Sequence, residues 1–170
     1  MFNVPLKALV VAAALVSAGP TRAATINLVA DSGWDRFAFG AVGTTVSRNF
    51  SFTLVGNAIL TIVDGFAAGD KFEVFANALS LGTTSDPMTG PTTVGMNFDT
   101  ALADPNFSSG SFNLGPGSYN ISLNVLARSA GGGNHIGAIR LDLAAVPVPA
   151  GGALLLSGLG MAAFMRRRRR

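Results

Sequence analysis

Three features of this 170-residue chain predict an all-β fold, an antiparallel β-sandwich of the jelly-roll kind, over residues 24–145. Apolar residues alternate with polar ones at period two: Phe50, Phe52 and Leu54 against Ser51 and Thr53, then Tyr119, Ile121, Leu123 and Val125 against Asn120, Ser122 and Asn124. That period places one set of side chains on each face of a strand, one face buried and one wet. No sustained 3.6-residue apolar repeat competes with it, and Gly, Asn, Asp and Pro punctuate the alternation every few residues. The third feature is negative: with no cysteine there is no disulfide framework, so packing of aromatic and aliphatic strand residues must hold the fold.

The elements follow in chain order. Lys7 and the α-amine precede an apolar stretch at 9–16, and small residues follow at Ala18, Ala23 and Ala24. This is the organisation of a secretory signal helix, read by the Sec machinery and removed by signal peptidase. Cleavage is expected between Ala23 and Ala24, with cleavage after Ala18 as the alternative; the apolar core is too short to span a bilayer. Seven to nine short strands are then expected, at 25–30, 34–39, 50–54, 58–63, 71–76, 79–83, 111–114, 119–125 and 136–143. Asn77-Ala78 reads as the two-residue turn of a hairpin, with Ala78 standing where glycine makes a type I′ turn easiest. Residues 99–104 suit one helical turn ended by Pro105, and Gly131, Gly132 and Gly133 mark a loop before the last strand.

Residues 146–165 carry no charge. As a helix such a run is about 30 Å long, the thickness of the hydrocarbon core, so it is expected to be a transmembrane helix. Arg166, Arg167, Arg168, Arg169 and Arg170 follow at once; by the positive-inside rule they hold that end in the cytoplasm and place the body across the membrane. The domain organisation is therefore a signal peptide at 1–23, the β-sandwich at 24–145 and a C-terminal segment at 146–170.

Val146-Pro147-Val148-Pro149-Ala150, a Gly/Leu-rich span and a terminal arginine cluster resemble, in parts and order, the VPLPA-type variant of the bacterial PEP-CTERM sorting signals. Val148 stands where Leu is usual. The resemblance implies a Gram-negative bacterium and an exosortase, an integral-membrane cysteine transpeptidase-like enzyme that cuts near the Pro motif and passes its substrate to the envelope. Pro147 and Pro149 suit such a partner, because they keep the backbone extended just outside the membrane. The stretch from Phe50 to Phe112, with its Asp64-Gly65-Phe66 and Gly69-Asp70-Lys71-Phe72-Glu73-Val74-Phe75 segments, is similar to secreted bacterial and fungal β-domains of unknown function that often precede PEP-CTERM signals. That likeness implies a fold and no activity.

Charge narrows the partners. Of the twelve Lys and Arg, seven lie in the two terminal segments; five remain in the body against all nine acids, a body net near −4. An acidic body excludes binding to a nucleic-acid backbone, which needs clustered cations. One histidine, His135, and no cysteine leave zinc, copper and a Ser-His-Asp site without the usual partners, and the triple glycine lacks the lysine and helix of a phosphate loop. Asp64, Asp70 and Glu73 supply hard oxygens near one turn, which suits Ca²⁺; the competing reading makes Asp64 and Asp70 turn residues bonded to nearby amides and Glu73 an outward strand residue. The same acids offer a carboxylate pair for glycoside hydrolysis, with nothing to fix its separation. Trp34, between Gly33 and Asp35, is the aromatic best placed to stack on a sugar, whereas Phe37, Phe39 and Tyr119 read as core. The expectation is a non-enzymatic protein without a required cofactor, anchored in the inner membrane in transit and then at the cell surface or outside it, within the envelope or biofilm matrix. The alternative is a carbohydrate- or Ca-binding module that contacts extracellular polysaccharide.

Overall fold

The computed structural model describes residues 24–88, 92–130 and 135–145. The signal at 1–23, the sorting motif Val146 to Ala150, the span after it and Arg166 to Arg170 lie outside the described residues. Among those described, no helix is long and apolar enough to cross a membrane.

The alternating segments fold into two main sheets. The strands are β1 (Ala24–Asn27), β2 (Asp35–Ala38), β3 (Arg48–Leu54), β4 (Ala58–Asp64), β5 (Phe66–Ala67), β6 (Lys71–Ala76), β7 (Leu79–Thr83), β8 (Thr93–Gly95), β9 (Ser109–Leu114), β10 (Gly117–Ala127) and β11 (Ile136–Leu143), with one helix, α1 (Phe98–Ala103), between β8 and β9. A five-stranded sheet runs β1-β3-β10-β6-β7 and a four-stranded sheet β2-β11-β4-β9, with β5 and β8 paired separately. Phe50 and Phe52 of β3 stand opposite Ile121 and Tyr119 of β10, and Leu123 and Val125 opposite Val74 and Phe72 of β6. Across the sandwich the four-stranded sheet contributes Phe37, Leu60, Ile62, Ile139 and Leu141, and these side chains form one buried core. Burying a residue of this size stabilises by about 1.5–3 kcal/mol.

Strand β4 is buried on both faces, all of Leu60 to Asp64 being inaccessible. Leu60 and Ile62 face the other sheet, whereas Val63 points outward and is covered by α1 through Phe98 and Ala101, with Phe107 and Ala138 completing a second small core. The helix is capped by Asn97, whose side chain accepts from the Thr100 amide, an ordinary N-cap arrangement. It begins and ends one residue earlier than residues 99–104.

Several expectations are corrected in detail. The described residues form eleven strands; β5 and β8, outside the expected set, are too short to show alternation. The segment at 25–30 leaves the sheet after Asn27, and Asp31 turns the chain at φ 59°. Trp34 precedes β2. One pair is not antiparallel: β1 runs parallel to β3, because the chain crosses to the other sheet for β2 and back for β3. The hairpin at Asn77-Ala78 has the expected geometry, with φ of 51° and 66°. The Asn77 side chain fixes it across the sheet, donating to the Ser118 carbonyl and accepting from the Asn120 amide.

Candidate functional site

Parity places Asp64 on the inner face of β4, in line with Leu60 and Ile62, where the strand runs out toward the turn at 65–70. A carboxylate there must find donors or remain protonated. Its Oδ2 accepts from the amides of Gly69 and Asp70, at 3.1 and 3.0 Å, so the side chain closes the turn. Asp70 is also sealed in, 1% exposed against 0% for Asp64. Its Oδ1 accepts from the Ser129 amide at 2.7 Å and lies 3.5 Å from His135 Nδ1. The same nitrogen is 3.4 Å from Ser129 Oγ, and the imidazole packs beside Phe39, centroids 5.7 Å apart.

Two oxygens remain. Among the described residues, Asp64 Oδ1 and Asp70 Oδ2 are the buried side-chain polar atoms without a partner. Burial, and then the negative charge of Asp70, push the Asp64 carboxyl up from 3.8 to about 8, against the pull of the two amides. Asp64 therefore carries a proton at neutral pH. A carboxyl hydrogen directed at Asp70 satisfies both orphaned oxygens at once, and the Asp64–Asp70 side-chain hydrogen bond raises the Asp64 value further. One proton shared between two adjacent carboxyls is what like-charge repulsion in a dry site produces.

Glu73 does not join this pair. It lies on the outward face of β6 and accepts from Ser80 Oγ of β7 at 3.0 Å. Asp64, Asp70 and Glu73 thus do not converge, and no group of three or more His, Asp or Glu among the described residues is arranged to hold a metal ion. Asp64 bonds the amides of its own turn, as in the competing reading, whereas Asp70 bonds the amide of Ser129, 59 residues along the chain. They are fully buried, and sequence reasoning missed their neighbours Ser129 and His135. His135, read from sequence as a loop residue, is buried at 8% exposure. The sequence signal for that contact is weak: one histidine after a glycine loop, far along the chain from the acids.

Trp34 is half-buried and its ring is occupied. The Arg140 guanidinium sits over it, 4.4 Å from the centroid, Phe98 approaches at 6.0 Å, and Nε1 donates to Asp99 Oδ1 at 2.9 Å. Arg140 also donates to Asp99 and Asp142, at 3.1 and 2.8 Å. Trp34 is consequently a bracket holding α1 to the outer face of the four-stranded sheet, and the face expected to be open to a sugar is covered by Arg140. Phe37 belongs to the main core, and Phe39 and Tyr119 are partly buried against that core, Tyr119 stacking on Phe52. Ala24, on the far side of the expected signal cleavage, is the first residue of β1.

No family model and no curated protein matches the chain. Solved structures do. The pre-peptidase C-terminal domain of a collagenase from Bacillus anthracis superposes with a TM-score of 0.40 at 12% identity, over 72% of this chain and 97% of that one. A β-glucosidase from Paenibacillus barengoltzii superposes with a TM-score of 0.33 at 12% identity, over 72% of this chain and 11% of that one.

Proposed function

We propose that the protein is an exported, surface-sorted, non-enzymatic component of the envelope or biofilm matrix, cut by an exosortase at Val146-Pro147-Val148-Pro149-Ala150. The observation that carries the reading is the order of features at the C-terminus: the Pro motif, twenty uncharged residues overlapping it, and five arginines. An uncharged stretch of that length prefers lipid, and the arginine cluster resists crossing. The fold is compatible with both cuts. Cleavage between Ala23 and Ala24 leaves β1 whole, and cleavage near Pro147 falls after β11 ends at Leu143. The released part is then the complete sandwich. Its order β2-β11-β4-β9 facing β3-β10-β6-β7 supports a jelly roll, with β1 as an added edge.

The test is the intact mass of the protein recovered from the cell surface and medium. A product starting at Ala24 and ending between residues 146 and 150 is expected. A product retaining Arg166 to Arg170 at the surface removes the exosortase step, and an uncut chain in the cytosol overturns the reading altogether.

A further inference from the structure

A cleft of about 130 Å³ opens to solvent beside β2, lined by Arg36, Phe37, Ala38, Arg48 and Ile136. It lies between the two sheets: Arg36 is in β2, the edge strand of one, and Arg48 opens β3 of the other. Each guanidinium is oriented by a neutral acceptor. Arg48 Nη1 donates to the Arg36 carbonyl at 3.0 Å, and Arg36 Nη1 contacts Met96 Sδ at 3.2 Å. Among the described residues neither arginine makes an ion pair, whereas Lys71 pairs with Asp86 and Arg140 with Asp99 and Asp142. Two of the five cations on a body with nine acids thus line one cleft, anchored but not neutralised. Most of their N–H donors are unspent.

We propose that this cleft is a binding subsite for a carboxylate, supplied by a uronic-acid unit of an acidic polysaccharide. A guanidinium fork matches a planar carboxylate in two parallel hydrogen bonds. A cleft of about 130 Å³ has room for a carboxylate and its attached carbon, and the rest of a polymer chain can lie outside it. The remaining walls, Phe37, Ala38 and Ile136, offer no side-chain donor. A planar group with two oxygens matches the two guanidinium forks in number and geometry. The preference for a carboxylate stands on the cleft alone; a polymer as its source rests on the surface reading above.

The experiment uses the full-length chain and an Arg36→Gln/Arg48→Gln variant, applied in mild detergent at low salt to immobilised alginate and to neutral dextran. The five terminal arginines are common to both proteins and set the background. The wild type is expected to be retarded on alginate and not on dextran, and to be released by free glucuronate. The variant should bind about tenfold more weakly with an unchanged thermal midpoint, because both side chains are exposed and charge-assisted pairs are lost. Equal retention of variant and wild type overturns the site. Release by inorganic phosphate as effective as by glucuronate overturns the carboxylate assignment. If free glucuronate binds in an Arg36- and Arg48-dependent way while alginate does not, the polymer source falls. None of these outcomes alters the mass of the product at the surface, so failure here is distinguishable from failure of the sorting reading.

Discussion

Asp70 donates its amide to Asp64 Oδ2 at 3.0 Å while its own carboxyl group lies beside the same residue in a site that water does not reach. The backbone and the side chain of Asp70 therefore act on Asp64 in opposite senses, the amide favouring the ionised form and the carboxylate the neutral one. Burial decides for the neutral form.

Stability should consequently fall as pH rises. Between the ordinary 3.8 and about 8 the folded chain holds an Asp64 proton that the unfolded chain has released; the unfolded state binds fewer protons, so the unfolding free energy declines with pH. The limiting slope is about 1.4 kcal/mol per pH unit for one proton. Asp64→Asn keeps the two amide contacts and can donate to Asp70 as the protonated acid does. Denaturant midpoints measured from pH 5 to pH 8 should slope downward in the wild type and flatten in the variant. A wild-type midpoint that rises over that interval contradicts a buried neutral Asp64.

The chain's single tryptophan reports the bracket between α1 and the four-stranded sheet. Arg140→Ala removes the cation over Trp34 together with both carboxylate contacts, at a cost of about 1–2 kcal/mol. Acrylamide quenching of Trp34 fluorescence should be weak in the wild type and rise in the variant. Quenching that is already strong in the wild type means the ring is open after all.

Legibility in the sequence divides along the same line. Period-two alternation was enough for β3, β6 and β10, because each buries one face against the opposite sheet and the hydrophobic pattern records that directly. It was blind to β5 and β8, which are too short to have a pattern, and to β1 running parallel, which depends on where the chain crosses. The Asn77-Ala78 turn was readable because turn chemistry is local. At the candidate sites the contacts are distant: Trp34 meets Arg140 and Asp99, and Asp70 meets Ser129 and His135, across tens of residues. An aspartate in a Gly-rich turn looks the same in sequence whether it is hydrated or sealed. Parity with Leu60 and Ile62 gives Asp64 its face, but that β4 extends as far as Asp64, opposite Gly137 of β11, is visible only in the fold.

Ala78 holds a left-handed conformation at φ 66° at an exposed position of the β6–β7 turn. A residue with a Cβ is disfavoured there by about 1 kcal/mol. Ala78→Gly relieves that cost and fits the type I′ turn, offset in part by the extra freedom glycine gives the unfolded chain. The thermal midpoint should rise by a few degrees. A fall would show that the turn does not hold this conformation in solution.

Gly137 carries the opposite constraint. It stands opposite Phe37 in the β2–β11 pair, and the Phe37 ring lies across it so closely that a Cβ would sit 2.6 Å from Cζ and 3.1 Å from the Val63 carbonyl oxygen. Phe37 has little room to retreat, since it packs edge-on against Phe72 and Phe50, with centroids 5.4 and 6.0 Å away. Gly137→Ala should therefore destabilise by about 1–3 kcal/mol, the usual range for overpacking a core. Pairing it with Phe37→Leu separates the steric contribution from any backbone effect: if the clash with the ring is the cause, the double variant loses less than the sum of the two single changes. Strict additivity in denaturant unfolding would place the cost in the backbone of β11 and not in the ring above it.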